Sequence, residues 1–297
     1  MSAADVLGSS SPAVLGTSTP ARTAASPLGW LRFLGSELRI IGGRRRNIAG
    51  LAVLAVVPIL LAVAVKLSSP GGGDGPDFIS AITGNGLFVA FAALALELPI
   101  FLPLAIAVIA GDSVAGEANI GTLRYLLTIP AGRTRLLAVK FAAIVISALV
   151  ATGVVALVGT IIGLALFGGG EMTLLSGAQT SMADGVGRLV LSCLYLAAQF
   201  SALGAIGLFI STLTEQPIGA TVAVVLVNVM MFVLDSISQL AWLHPWLLTH
   251  WWTAFGDLLR DPMATENITR GLLTAAVYTG VFWLAAWARF SSKDITS

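Results

Sequence analysis

Residues 111–140 read GDSVAGEANIGTLRYLLTIPAGRTRLLAVK, and this polar stretch separates two long apolar runs, 87–110 and 136–167. A run of about 20 apolar residues is long enough to cross the roughly 30 Å hydrocarbon core of a membrane as a helix. The stretch therefore joins two predicted membrane spans. Its basic and acidic residues lie outside the bilayer, where a soluble partner can bind.

The composition of the whole chain also indicates a membrane protein. Of its 297 residues, 57% are hydrophobic and 10% are charged, with a mean hydropathy of +0.92. In soluble domains about a quarter of residues are charged, and the alternating ten-residue pattern of a membrane barrel is absent from the sequence. We therefore predict an all-α integral membrane protein, with membrane lipids and no nucleic acid among its partners.

Six apolar runs are long enough to span the membrane. They occupy 48–67, 87–110, 136–167, 186–210, 218–234 and 272–288. The third run is too long for one perpendicular crossing, so it either tilts or projects beyond the bilayer. The sequence thus predicts a six-span transmembrane domain over 47–297.

The residues before the first span divide into two segments. Residues 1–26 are rich in Ser, Ala, Thr and Pro and lack the basic start and apolar core of a signal peptide, so we predict a disordered leader. Through 27–46, apolar side chains recur at three- to four-residue spacing, namely Trp30, Leu34, Leu38 and Ile41. This spacing predicts an amphipathic interfacial helix, ending in an arginine triplet, 44–46, that can pair with lipid phosphates. The alternative is a poorly ordered basic linker.

Basic residues are unevenly divided between the two sides of the predicted bundle. With the amino terminus in the cytoplasm, twelve lie inside and four outside, the outer ones being Lys66, Arg188, Arg260 and Arg270. Cytoplasmic segments carry the excess of Lys and Arg. We therefore expect both termini and 111–135 to be cytoplasmic and the protein to lie in the plasma membrane.

Helix signals divide this cytoplasmic stretch into short pieces. Asp112 can cap a short helix that has Glu117 in its first turn. Gly121 and Thr122 can end that helix and cap the next, and Pro130 breaks the chain before the third span. We predict a rigid helical elbow that is built for contact, since a simple connection needs only a few polar residues.

The same stretch carries a G-E pair, then G-T-L, L-L, P, R and K at fixed intervals. These residues are Gly116, Glu117, Gly121, Thr122, Leu123, Leu126, Leu127, Pro130, Arg133 and Lys140. The set resembles the permeases of ABC-2 type exporters. Six spans, an amphipathic amino-terminal helix and a long outer segment before the last span are also similar to that family, so the resemblance covers nearly the whole chain after residue 27.

The resemblance implies a membrane subunit moved by a separate ATPase, into which the elbow docks as a cytoplasmic coupling helix between spans two and three. The implied coupling residues are Asp112, Glu117, Gly121, Thr122, Leu123, Arg124, Leu126, Leu127, Pro130 and Arg133. The leucines would pack against the ATPase, whereas Glu117, Arg124 and Arg133 would pair with it. For Arg133, Arg135 and Lys140 the alternative is that they hold the topology by contacting lipid phosphates.

Nucleotide binding is expected on other chains. The sequence contains no G-x-x-x-x-G-K-[ST] loop to cradle phosphates. ATP and Mg²⁺ would therefore bind to two copies of an ATPase subunit, and this chain would carry no cofactor of its own. Two copies of the permease, or one copy and a paralogue, would form the translocation path.

Polar residues within the spans are candidates for that path, because a polar group in the membrane is costly unless it has a partner. Glu97 lies near the middle of the second run and is followed by Pro99 and Pro103, each of which removes a helical hydrogen bond. It either lines the path or is a protonated glutamate bound to a carbonyl freed by the kink. Gln199 and Asn228 are further candidates, although interhelical hydrogen bonds are the better interpretation of both.

The outer segment 237–270 contains four of the seven tryptophans and both histidines. The tryptophans are Trp242, Trp246, Trp251 and Trp252. Indole rings favour the membrane interface, so we predict short helices at the outer leaflet, and the resemblance implies that they form an outer gate. His244 and His250 have no carboxylate or cysteine beside them in the sequence, so we predict no metal site.

We therefore expect a non-catalytic permease subunit of an ATP-driven exporter for a lipophilic or amphiphilic substrate, such as a drug, a lipid or a peptide. The alternative is a stand-alone channel or an ion-driven secondary transporter. Such proteins usually place several ionisable groups within their spans, where Glu97 is nearly alone. An intramembrane enzyme is a third class, but Cys193 lacks an evident base.

Overall fold

The structure is a computed structural model that describes residues 27–68, 84–121 and 132–292. The predicted leader, 1–26, and the middle of the predicted elbow, 122–131, lie outside these ranges. The helices are α1 Pro27–Gly43, α2 Arg45–Ser68, α3 Phe88–Glu97, α4 Phe101–Asn119, α5 Arg133–Phe167, α6 Met182–Leu213, α7 Pro217–Ser236 and α8 Thr265–Ser292. A short antiparallel hairpin pairs β1 Met172–Thr173 with β2 Gln179–Thr180.

Six of these helices, α2 and α4 to α8, are long and apolar enough to cross a membrane. The chain is therefore an all-α multi-pass membrane protein, as predicted. Helix α5 has 35 residues and rises roughly 52 Å at 1.5 Å per residue. The prediction that this run is too long for one perpendicular crossing is confirmed.

The second predicted span differs from the structure at both its middle and its end. It is divided into α3 and α4 by a turn over 98–100 that contains Pro99, so the predicted kink is a full interruption. Helix α4 then continues past 110 as far as Asn119. Asp112 therefore lies inside a helix and does not begin a new one, because nothing in 111–119 breaks the helix. Gly121 does end it, with a φ of +72° that favours glycine.

The first two turns of helix α3 lie in the middle of the bundle and are buried on all sides. Every side chain from 87 to 94 is at most 5% exposed. Two glycines of α5 allow it to approach closely, since a Cβ on Gly159 would lie 2.7 Å from the Cα of Ala90, and one on Gly163 would overlap the carbonyl of Gly86. The four-residue glycine spacing in the sequence thus marks the contact between α3 and α5.

The two ends of the bundle differ in chemistry. The basic face comprises α1, the end of α4 and the start of α5. The aromatic face comprises the hairpin, the start of α6 and three short 3₁₀ helices, Ser238–Leu240, His244–Trp246 and Thr249–Leu259. The short helices predicted in 237–270 are confirmed. On the basic face, Leu34 of α1 packs against Val139 and Ala143 of α5, so the apolar side of α1 contacts the bundle itself.

Candidate functional site

A buried lysine holds three helices together at the basic face. Lys140 lies in the second turn of α5 and is only 1% exposed. Its Nζ donates to Glu37 Oε1 of α1 at 3.0 Å and to Glu117 Oε1 of α4 at 2.6 Å. A buried ammonium is stable only when it is paired and hydrogen-bonded. Lys140 therefore fixes the positions of both carboxylates, and with them α1 and α4.

A second set of ion pairs lies on the same side of α4. Asp112 is 7% exposed and pairs with Arg44, between α1 and α2, and with Arg46 of α2. The distance from Arg46 Nη2 to Asp112 Oδ2 is 2.8 Å. The junction of α1 and α2 is thus fastened to α4. We name the whole set the basic-face cluster: Glu37, Arg44, Arg46, Asp112, Glu117 and Lys140.

The basic-face cluster bears on two predictions about lipid contacts. Arg44 and Arg46 bind Asp112, but their side chains stay 34% and 44% exposed, so their pairing with lipid phosphates stays a prediction. Contact between Lys140 and lipid phosphates is excluded in this structure because its side chain is 1% exposed and its Nζ is bound by two carboxylates.

Some of the predicted coupling residues have partners within the chain, and the others lie largely outside the described residues. Glu117 and Arg133 have partners within the chain, because Glu117 binds Lys140 and Arg133 Nη1 donates to the carbonyl of Ser291 on α8 at 2.7 Å. Asp112 is likewise engaged by arginines. Gly121 ends α4. The remaining six lie outside the described residues, namely Thr122, Leu123, Arg124, Leu126, Leu127 and Pro130. Their role in coupling stays a prediction.

One sequence signal points to the basic-face cluster. Glu37 lies three residues after Leu34 and four before Ile41, on the apolar side of α1. Side chains three and four residues apart lie on one face of a helix. A carboxylate on an apolar face requires a cation from the surface against which that face packs, and Lys140 supplies it.

The predicted path residues surround the break in the second span. Glu97 is the last residue of α3 and is fully buried, and neither of its carboxylate oxygens has a hydrogen-bond partner among the described residues. Asn228 Nδ2 of α7 donates to the carbonyl of Pro99 at 3.4 Å. Asn228 therefore binds the turn between α3 and α4, and the interhelical bond preferred for it is found only in this looser sense. The carbonyl of Pro99, which Pro103 leaves without its helical donor, is bound by Asn228 and not by Glu97. Gln199 of α6 is also fully buried.

The four predicted gate tryptophans occupy two environments. Trp242 and Trp246 are each 71% exposed, whereas Trp251 and Trp252 are 6% and 1% exposed. The ring of Trp252 packs at 5.1 Å from that of Phe200 on α6. Only the first two are therefore available to the membrane interface, and the other two belong to the core beneath the 3₁₀ helices.

A buried arginine fastens those 3₁₀ helices to α6. Arg188 is 7% exposed, and its Nη1 donates to the carbonyls of Leu258 and Arg260 at 2.7 and 2.8 Å. Its Nε lies 2.7 Å from Asp184 Oδ2. The sequence places Arg188 outside the membrane, but it gives no sign that this residue is buried and structural.

The structure also brings a carboxylate to the two histidines. Asp235, at the end of α7, has its Oδ1 at 2.8 Å from His250 Nδ1 and at 4.0 Å from His244 Nδ1. The prediction of no metal site depends on the absence of such a neighbour in the sequence. The sequence does not show this neighbour, because Asp235 is nine residues before His244 and reaches the histidines through the fold of 236–250.

Comparison with known proteins gives a family without a known function. No curated protein matches the chain. A family model described as a protein of unknown function, DUF2705, matches residues 56–296. The match extends from within α2 through α8, which is most of the chain. The chain therefore belongs to the DUF2705 family of proteins of unknown function.

Proposed function

We propose that this protein is the permease subunit of an ATP-driven exporter of the ABC-2 type. Its basic face lies in the cytoplasm with both termini. A separate ATPase, in two copies, binds ATP and Mg²⁺ and moves the elbow, and two permease chains or a permease and its paralogue form the path. The substrate is a lipophilic or amphiphilic compound.

The observation that carries this proposal is the basic-face cluster. Helix α4 leads into the elbow and α5 leaves it, and Lys140 binds Glu117 of the first and Glu37 of α1. A force on the elbow would therefore move spans two and three together with α1. Buried ion pairs carry a large desolvation penalty, and a loop that only connected two spans would not need them.

An apolar cavity supports the class of substrate. It has a volume of about 400 Å³ and lies among α1, α2, α4 and α5. Leu51, Phe101 and Ile109 are among the residues that line it. A cavity with this lining accepts hydrocarbon chains or aromatic rings and excludes hydrophilic solutes.

The test is functional coupling to an ATPase. The protein is coexpressed with a candidate ATPase chain that carries a phosphate loop, purified with it, and reconstituted into lipid vesicles. We expect copurification and an ATP hydrolysis rate that depends on the permease. The Arg124→Glu variant should lower this stimulation by roughly tenfold, because reversing one charge at a docking surface typically costs 1.4 kcal/mol or more.

Arg124 is a better target than Glu117, whose replacement would also disrupt the binding of Lys140. The matched control is Arg270→Glu, at an exposed position at the start of α8, on the other end of the bundle. It should leave ATP hydrolysis unchanged. Full stimulation in the Arg124→Glu variant would refute the coupling assignment.

One observation favours a second candidate, an ion-driven secondary transporter. Glu97 is a fully buried carboxyl group that lacks a hydrogen-bond partner among the described residues, as expected for a group that exchanges a proton or a cation. This candidate predicts substrate uptake into vesicles that contain the purified chain alone and a proton gradient, with loss of uptake in Glu97→Gln. Transport that requires the ATPase and ignores the gradient would reject it.

A further inference from the structure

Asp235, His244 and His250 form a compact cluster on the aromatic face. One nitrogen or oxygen atom from each side chain can be chosen so that all three atoms lie within 4.8 Å of one another. The two imidazole rings are 5.7 Å apart between centroids. All three side chains are partly buried, with exposures of 24%, 17% and 36% respectively. They are therefore accessible to a small ion and are held by the surrounding chain.

The hydrogen bond of His244 determines which of its nitrogens is free. Its Nε2 lies 3.1 Å from the carbonyl oxygen of Ile237. A carbonyl only accepts hydrogen bonds, so Nε2 carries the hydrogen, and in the neutral ring Nδ1 has a free lone pair. This lone pair is near Asp235 Oδ1, at 4.0 Å, which is another acceptor. Two acceptors at this separation repel one another unless a proton, a water molecule or a metal ion lies between them.

The bond to Ile237 is also the kind of support that metal-binding histidines have. A ligating imidazole usually donates its other N–H to a backbone carbonyl or a carboxylate, which fixes the tautomer and the orientation of the ring. His244 has this support from residue 237, immediately after α7. Asp235 is in the last turn of the same helix. One ligand and the anchor of a second ligand thus come from one rigid element.

We propose that Asp235, His244 and His250 bind a zinc ion through one carboxylate oxygen and one ring nitrogen each, with water completing the coordination. Two imidazoles and one carboxylate suit zinc, whereas calcium and magnesium take oxygen ligands. Ligand atoms at 2.0–2.2 Å from a tetrahedral zinc lie roughly 3.3–3.6 Å apart. The longest separation in the cluster therefore needs to contract by no more than about 1.5 Å, and the 2.8 Å pair of Asp235 and His250 needs to open by roughly 0.5–0.8 Å, which side-chain rotation supplies.

Bound zinc would connect the 3₁₀ helices to the end of α7. The segment between the ligands carries Trp242 and Trp246, which are both exposed. Zinc would fix this segment over the bundle, whereas without it the connection is the hydrogen bond between His250 and Asp235. The proposal concerns the aromatic face alone and does not depend on the proposed transport function.

The test is zinc binding to the full-length protein in detergent, purified without a histidine tag and treated with a chelator. Calorimetry should detect one zinc ion per chain, and zinc should raise the melting temperature. Asp235→Asn and His250→Ala should each weaken binding by at least about tenfold and remove the thermal shift. The control is Glu266→Gln, which removes an exposed carboxylate at the start of α8 and should bind zinc as the wild type does.

A second measurement uses the wild-type protein alone, so its result does not depend on whether the variants fold. The chain has only two histidines, both in this cluster. Zinc should protect them from carbethoxylation, and cobalt in place of zinc should give the visible absorption bands of a tetrahedral site with nitrogen and oxygen ligands. Equal zinc affinity in Asp235→Asn, binding only to oxygen-preferring ions, or unprotected histidines would overturn the proposal.

Discussion

Replacing Lys140 by methionine tests whether the basic-face cluster stabilises the fold. Lys140→Met keeps the length of the side chain but leaves Glu37 and Glu117 without their shared cation, at side-chain exposures of 10% and 14%. Removing one partner from a buried ion pair costs about 3–5 kcal/mol, because the remaining charges stay desolvated after the loss of their main counter-ion. The triple variant Lys140→Met, Glu37→Gln, Glu117→Gln removes all three charges. It should recover most of the loss, since a neutral replacement of a buried ion pair is often tolerated.

The assay is thermal unfolding of the purified protein in detergent, followed by tryptophan fluorescence. The single variant should melt at least roughly 6 °C below the wild type, at about 2 °C per kcal/mol for a chain of this size. Arg270→Gln is the control, since this exposed pair with Glu266 contributes less than about 1 kcal/mol. The cluster does not stabilise the fold as argued if Lys140→Met has the same melting temperature as the control. The same conclusion follows if the triple variant is no more stable than the single one.

Two further predictions concern packing within the bundle and its aromatic face. Gly163→Ala should lower the free energy of unfolding by about 1–3 kcal/mol, because the new Cβ would overlap the carbonyl of Gly86. The control Gly153→Ala adds a Cβ that meets nothing within 4 Å, so it should be neutral or stabilising. Equal melting temperatures of the two variants would contradict the close contact of α3 with α5. Arg188→Met should cost about 3 kcal/mol and speed proteolysis of 238–264, because the buried carbonyl of Leu258 and the partly buried carbonyl of Arg260 lose their donor. The exposed Arg260→Met should do neither, and a similar proteolysis rate in both variants would contradict the assigned role.

The spans could be predicted because each must cover at least the hydrocarbon thickness of the membrane. Each apolar run in the sequence corresponds to a helix, and only the second is more complex, where Pro99 divides it. A proline in a span indicates a kink, but whether the chain bends or breaks depends on contacts made by other helices. One such contact is the hydrogen bond from Asn228 to the carbonyl of Pro99, 129 residues away in the sequence.

The pairings at the candidate site could not be predicted, because they join residues from distant parts of the chain. Lys140 and Glu37 are 103 residues apart. The sequence shows which residue types lie on the basic face, and it places the carboxylate of Glu37 on the apolar side of α1. The identity of each partner depends on how α1 packs against α5, which local patterns do not specify. The same limitation explains why Asp235 was not assigned to His244 and His250.

The charged side chains of the basic-face cluster bind one another within the protein, which leaves fewer charges for a partner chain to contact. Asp112 and Glu117 are neutralised within the protein by three basic residues of the cluster. Between 118 and 132 the sequence has only one charged residue, Arg124, among leucines and other apolar residues. In the proposed complex the ATPase would therefore meet a mainly apolar sequence here, with Arg124 as its one charge. Under that proposal the acidic residues of the stretch transmit force to the spans, and the apolar residues receive it.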